Sequence, residues 1–137
     1  MFLLDTNVVS ELRKAAKADA HVRRWAAQIS PAALYLSVIS VLELEIGVLL
    51  IERRDRAQGR LLRTWLEDRV LLTFEDRILP VDTAVVRRCA ALHVPDPHTD
   101  RDALIAATAL VHGMTVVTRN TPDFAGTGAK LLNPWRT

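Results

Sequence analysis

Residues 1–11, MFLLDTNVVSE, contain the feature that decides the fold. It is a short apolar run, residues 2–4, that ends at an acid, Asp5. Further short apolar runs recur along the chain, with helical patterns between them. They are residues 34–36, 78–81, 115–118 and 131–132. Short apolar strands that alternate with helices predict an α/β fold with a parallel sheet covered on both faces. Such sheets bind ligands at the carboxyl ends of their strands, so the residues just after each strand are the candidates for a site.

Helices are predicted from capping residues and from apolar periodicity. Asn7 is expected to cap a helix that runs to about residue 14, and Ser40 is expected to open one that runs to about residue 53. Residues 56–73 have the pattern of one long amphipathic helix. The other predicted helices are residues 18–28, 82–92 and 101–112, the last of them capped by Gly113.

Length and composition favour one small globular domain spanning residues 1–137. Half of the residues are hydrophobic and a quarter are charged, which excludes a disordered chain. Cys89 is the only cysteine, so an intrachain disulfide is excluded. No signal-like segment opens the sequence and no apolar run is long enough to span a bilayer, so we expect a cytoplasmic protein without a membrane partner.

The net charge of +2 comes from 18 basic and 16 acidic residues and does not by itself identify a nucleic-acid-binding protein. Arginine greatly outnumbers lysine. The planar guanidinium suits phosphate recognition. An arginine-rich surface is equally typical of GC-rich genomes, so both interpretations stay open.

Acidic and amide side chains lie where predicted strands end or helices begin. Asp5 follows the first strand, and Asn120 and Asp123 follow the 115–118 strand. Glu43 and Asp102 fall in the first turns of two predicted helices. Their spacing from Ser40 and Thr99 also fits a capping box, and acids at helix starts favour the helix dipole. Capping is therefore the structural alternative for these two acids.

The chemistry of the three carboxylates together points to a cation. Asp5, Glu43 and Asp102 would repel one another at close range, and at least one would then take up a proton. A divalent cation removes that repulsion, and oxygen ligands select Mg²⁺ or Mn²⁺ rather than zinc. The sequence therefore predicts a magnesium or manganese site at one edge of the sheet.

Four sequence motifs, in order along the chain, resemble those of PIN-domain ribonucleases, specifically the VapC toxins of type II toxin–antitoxin systems. They are residues 1–11 (MFLLDTNVVSE), 36–47 (LSVISVLELEIG), 100–109 (DRDALIAATA) and 117–124 (VTRNTPDF). Residues 133–135 (NPW) are similar to the close of the FitB-like branch. The resemblance implies a three-layer α/β/α sandwich with a short central parallel sheet, and a metal-dependent endoribonuclease that uses Mg²⁺ or Mn²⁺.

The resemblance also assigns expected roles to individual residues. Asp5, Glu43 and Asp102 match the acidic, catalytic metal-site positions. The fourth position is acidic in many members and is Asn120 here, which leaves open whether one ion or two are bound. Residues that could compensate or assist from nearby are Asp123, Thr6 and Thr118.

The family further implies partners. These are an RNA substrate, for which a tRNA loop is the expectation, and a small cognate antitoxin that occupies the active-site groove. A homodimer is expected, and contact with DNA only indirectly through the antitoxin complex. RNA would be held mainly by its phosphates. The basic residues near the first motif that could contact them are Arg13, Lys14, Arg23 and Arg24.

Two other classes of function remain open on the sequence. A haloacid-dehalogenase-like phosphatase also carries an acid after its first strand, but it requires a second Asp two residues later, where this chain has Asn7. A non-catalytic binding module would use the acids only as helix caps. Metal-dependent cleavage of RNA would separate the nuclease from both.

Overall fold

The computed structural model describes residues 1–137 and contains a five-stranded parallel sheet. The strands are β1 (Phe2–Leu4), β2 (Leu34–Ser37), β3 (Ile78–Leu79), β4 (Thr115–Val117) and β5 (Lys130–Leu132). Their order across the sheet is β3-β2-β1-β4-β5. The predicted α/β fold with a parallel sheet is confirmed. Because β1 is the central strand, the residue that follows it lies in the middle of the carboxyl edge.

Six α-helices connect the strands. They are α1 (Thr6–Leu12), α2 (Ala20–Ala27), α3 (Val38–Arg54), α4 (Arg56–Trp65), α5 (Thr83–Leu92) and α6 (Asp100–His112). α6 ends at Gly113, whose φ of +67° is the left-handed conformation that glycine adopts without steric cost. None of these helices combines the length and the apolar character needed to cross a membrane.

The helices cover both faces of the sheet, as the sandwich prediction requires. Successive strand residues point to opposite faces. Leu4 of β1 and Val117 of β4 therefore share one core with residues of α1, α2, α3 and the segment after α4. Leu3 and Val116 share the other core, with α6. α5 packs on α6 through a small third cluster.

The predicted helix starts near the first two acidic motifs were wrong. Asp5, rather than Asn7, caps α1, because its carboxylate accepts a hydrogen bond from the Thr6 amide at 2.8 Å. Ser37, rather than Ser40, caps α3. β2 passes into α3 without a loop, so the cap is the last residue of the strand.

That shift changes the interpretation of Glu43. Ser40 is buried inside α3 and its hydroxyl has no hydrogen-bond partner, so the predicted capping box with Glu43 does not exist. Glu43 lies in the second turn of the helix. Thr99 likewise makes no side-chain capping bond to α6, which excludes the second predicted capping box, with Asp102. The structural alternative based on capping boxes is therefore wrong for both acids.

Smaller differences concern element lengths. The 18–28 helix is confined to α2, which Asp19 caps. The 56–73 helix is α-helical only as far as Trp65 and continues as a π-helical segment, Leu66–Leu71. The 78–81 strand is only the two residues of β3, and the 115–118 strand stops before Thr118. Short apolar runs mark where a strand lies, but partner strands decide where it ends.

Candidate active site

Seven of the eleven predicted site residues meet at the carboxyl edge of the sheet, around an open cavity of about 520 Å³. All three predicted acids border it, as do Thr6 and Asn120. Its complete lining is Asp5, Thr6, Asn7, Ser10, Glu11, Arg13, Lys14, Glu43, Asp102, Arg119, Asn120 and Trp135. The cavity is polar, because Trp135 is its only hydrophobic lining residue.

Asp5 is the buried member of the site, with 7% of its surface exposed. The Thr118 hydroxyl and the Asn7 amide donate to its Oδ2 at 2.8 and 3.2 Å. Burial nevertheless raises the pKa of Asp5 above its ordinary value, and the nearby negative charges of Glu43 and Asp123 raise it further. Two of the donors to the Asp5 carboxylate, the Thr6 backbone amide and the Asn7 side-chain amide, come from the next two residues along the chain.

Glu43 is held by the first turn of α1. The Thr6 hydroxyl donates to Glu43 Oε1 at 2.6 Å, and Arg101 Nη1 lies 3.8 Å from Glu43 Oε2. Thr6 thus links the first and second acidic motifs. A neutral hydroxyl and a half-exposed guanidinium only partly offset the carboxylate charge.

Asp102 lies in the first turn of α6 and faces the same cavity. Burial raises the pKa of its carboxyl to about 6, and the charges of Asp5, Asp123 and Glu43 contribute in that order. Burial is the largest cause of this shift, and the three neighbouring carboxylates add to it. A divalent cation bound among these carboxylates would offset their mutual repulsion.

The donor chemistry fits a hard divalent cation, which carboxylate oxygens and water bind. Asp5 and Asp102 would hold it, and Glu43 could join them by turning away from Thr6. No group of three His, Cys, Asp or Glu side chains forms a ready-made metal site as it stands. The three-carboxylate site therefore stays a prediction.

The other predicted site residues separate into two groups. Thr118 is fully buried and bridges Asp5 to the Asn120 backbone amide, which donates to its hydroxyl at 3.0 Å. Asn120 lines the cavity, and its side-chain amide has no partner within the chain. Asp123 is not part of that lining. It lines a neighbouring cavity, but its charge still raises the pKa of both Asp5 and Asp102.

The four predicted basic residues do not all lie at the site. Arg13 and Lys14 border the cavity, and Lys14 pairs with Glu11 at 3.0 Å. Arg23 and Arg24 are exposed on α2 and are absent from the lining. Two of the four residues that are close to the first motif in sequence therefore line the cavity and two do not, because the chain turns between α1 and α2.

Sequence reasoning missed Arg119 and Trp135 as site residues. The Arg119 guanidinium lies 5.2 Å from the centre of the Trp135 ring, and both residues line the cavity. It also treated Asn7 only as a cap and as the mismatch with a phosphatase, whereas Asn7 holds Asp5 and accepts from the Arg119 amide at 3.3 Å. The spacing of Asn7 two residues after Asp5 was the available signal.

Comparison with known proteins agrees with this site. The PIN domain family model matches residues 2–129. A plasmid stability protein, StbB, from Pseudomonas syringae pv. tomato is 38% identical, over 98% of this chain and 99% of the relative. The VapC ribonuclease Y4jK from Sinorhizobium fredii is also 38% identical, over 98% of each chain. The crystal structure of FitAcB from Neisseria gonorrhoeae superimposes with a TM-score of 0.91 at 34% identity and covers all of both chains.

The chain therefore belongs to the PIN domain family, and its relatives place it with the VapC and FitB toxins of toxin–antitoxin systems. This membership confirms the resemblance and the α/β sandwich. It also decides against the phosphatase alternative. The structure agrees, because the position that a phosphatase would fill with a second Asp is an amide already engaged in holding Asp5.

Proposed function

We propose that this protein is a metal-dependent endoribonuclease that hydrolyses RNA phosphodiester bonds and is neutralised by a small cognate antitoxin. The observation that carries the proposal is the convergence of Asp5, Glu43 and Asp102 on one open polar cavity. The raised pKa values of Asp5 and Asp102 support it, because burial and the neighbouring carboxylates both disfavour the ionised forms, a cost that a bound cation would offset. RNA cleavage is also the activity named for the relative Y4jK.

The chain's own residues would have separate roles in binding the cation and in orienting its ligands. Asp5 and Asp102, with Glu43, would bind Mg²⁺ or Mn²⁺, which lowers the pKa of a water molecule and offsets charge on the phosphate. Thr118 and Asn7 orient Asp5 by donating to Oδ2. Ser10, the one serine in the lining, has no paired base there, and the Thr6 hydroxyl would serve to orient Glu43, so no side-chain nucleophile is part of the proposal.

Substrate binding would rely on the phosphates. Arg13, Lys14 and Arg119 all line the cavity. A phosphate backbone that crosses the site would contact these cations, with the scissile phosphate over the acids. We expect the substrate to be a tRNA loop and the cleavage to occur in the cytoplasm.

The direct test is Asp5→Asn in an RNA cleavage assay with Mg²⁺ or Mn²⁺. Asn keeps one oxygen that can cap α1, and its NH2 group can donate to the Thr118 hydroxyl where the carboxylate accepted from it, so the fold should survive. The cation loses its buried charged ligand. Cleavage should fall at least about a hundredfold, since each 1.36 kcal/mol of lost stabilisation is a factor of ten in rate. Asp96→Asn, in an exposed loop, is the matched control and should cleave normally. Cleavage by Asp5→Asn at the parent rate would refute the assignment.

The antitoxin is tested in cells. Expression of this chain alone should arrest growth, and co-expression of the product of the adjacent short gene should restore it. The Asp5→Asn chain should be harmless at the same level of folded protein, and the two proteins should copurify with the toxin as a homodimer. Normal growth with abundant folded parent chain would contradict the proposal.

A further inference from the structure

A second cavity adjoins the acidic one and shares a wall with it. It has a volume of about 560 Å³. Arg119, Asn120 and Trp135 line both cavities, so these three residues stand between them. The remaining lining residues are Thr121, Pro122, Asp123, Asn133 and Arg136. Whatever fills the acidic cavity and continues along this edge of the sheet must pass across the shared wall.

The wall presents a flat, cationic surface. The Arg119 guanidinium lies over the Trp135 ring at 5.2 Å, and its side chain forms no ion pair or hydrogen bond. Arg119 is exposed, whereas the indole is partly buried against the core beneath. Stacking on arginine and tryptophan planes is how proteins hold unpaired nucleobases.

The surface is also rigidly mounted. Asn133 accepts a hydrogen bond from the Trp135 amide at 3.0 Å and donates to the Arg119 carbonyl at 3.4 Å. The loop after β4 is tied to the buried site as well, because the Arg119 amide donates to Asn7. The stacking surface therefore holds a set position relative to Asp5.

We propose that the Arg119–Trp135 pair binds the nucleotide next to the scissile phosphate, with its base stacked on this pair and its phosphate beside Arg119. The inference rests on the proposed ribonuclease function and specifies single-stranded RNA as the substrate form, since only an unpaired base is free to stack there. Stacking tolerates every base, so this subsite anchors the strand without reading its sequence.

A protein partner fits this wall less well than RNA. The second cavity has one hydrophobic residue among its eight, with two arginines and one acid. The apolar groove of the molecule lies elsewhere, between α1 and the helix that contains Trp65, where seven of ten lining residues are hydrophobic. A helix from a protein partner would bury its apolar face in that groove.

The test is a binding assay with a short, fluorescently labelled single-stranded RNA, carried out in the Asp5→Asn background so that the RNA stays intact. One abasic nucleotide is moved along the strand. At one position next to the cleavage site, its introduction should weaken binding about tenfold, a change of about 1.4 kcal/mol. In Trp135→Leu the same abasic RNA should bind as well as the intact one, because Leu retains apolar packing without a stacking face. Trp135→Phe should restore the difference.

If Trp135→Leu does not fold, Arg119→Ala provides a second test, since Arg119 is exposed and its replacement should not disturb folding. It should weaken binding of the intact RNA and reduce the salt dependence of binding by about 0.7 in log–log slope, the value for one single-strand phosphate contact. Arg60→Ala, an exposed arginine on α4, is the charge-matched control and should change neither. In the Asp5-containing chain, KM for cleavage should rise in Arg119→Ala with little change in kcat.

The outcomes separate the two proposals. Equal sensitivity to the abasic position in the parent and Trp135→Leu, together with an unchanged salt slope in Arg119→Ala, would overturn the subsite even if RNA is cleaved. If Trp135→Leu and Arg119→Ala lose antitoxin binding but keep RNA binding, the proposed subsite is overturned as well. Binding that depends on Trp135 without any cleavage would support the subsite and count against the ribonuclease.

Discussion

Replacing Asp102 by Asn is expected to stabilise the metal-free protein, although it removes a residue of the proposed active site. The pKa of Asp102 is raised from 3.8 to about 6. A difference of roughly two units, at 1.36 kcal/mol each, would cost about 3 kcal/mol when the carboxyl is ionised. Asp102 is only partly buried, so solvent screening reduces this cost, and the dipole of α6 favours an acid by about 0.5 kcal/mol. About 1 kcal/mol of net stabilisation remains for Asp102→Asn.

The pH dependence has a definite sign. Because the folded-state pKa is raised, the carboxyl imposes no penalty below about pH 4, where it is protonated in both the folded and the unfolded state. The parent chain loses stability as the pH rises from about 4 through about 6, since the unfolded carboxyl is then ionised while the folded one still binds its proton, so folding must take up a proton. The advantage of Asp102→Asn should therefore be small near pH 4.5 and complete by pH 7.5.

Urea unfolding in EDTA at these two pH values measures the effect. Asp100→Asn is the matched control, because Asp100 is also in the first turn of α6 but is exposed and contacts His93 at 3.1 Å. It should be neutral or slightly destabilising. Adding Mg²⁺ should then raise the unfolding midpoint of the parent and not that of Asp102→Asn, since a ligand stabilises only the fold that binds it. If Asp102→Asn is less stable than the parent at both pH values, the reasoning is refuted. The main effect of the Asp102 carboxylate would then be to stabilise the start of α6.

Three further substitutions test the site and the scaffold. Asn120→Asp should lower the Mg²⁺ concentration needed for half-maximal cleavage, because it adds a carboxylate beside the cation. If that concentration is unchanged at fixed pH and salt, Asn120 only shapes the turn before Pro122. Gly59→Ala should destabilise the fold by about 1–3 kcal/mol in thermal unfolding, since its Cβ would lie 2.5 Å from the Glu52 Cα, and so force α3 and α4 apart. Gly47→Ala is the control, because a Cβ added at Gly47 would meet nothing within 4 Å; it should be neutral or stabilising by up to about 1 kcal/mol. Equal losses of stability in Gly59→Ala and Gly47→Ala would contradict this account.

The sequence by itself determined the sheet and the position of its site. Apolar runs of two to four residues are too short for helices and indicate strands, and the helical patterns between them require parallel connections. The position of Asp5 at the site follows directly from this reasoning, because the residue after a central parallel strand lies at the carboxyl edge of the sheet. The helix bounds were less accurate, because the sequence predicted Ser40 at the start of α3, whereas the end of β2 places the cap at Ser37.

Only the tertiary structure decided how the site is assembled. Thr118 reaches Asp5 across 113 positions of sequence, and the Thr6–Glu43 bond spans 37. The pairing of Arg119 with Trp135 depends on β5 bringing the last residues of the chain back beside the loop after β4. Local periodicity and capping depend on neighbours within a few residues, whereas these contacts arise from parallel crossovers that place distant segments side by side. The burial that raises the pKa of Asp5 and Asp102 has the same origin, because desolvation depends on what surrounds a group in space.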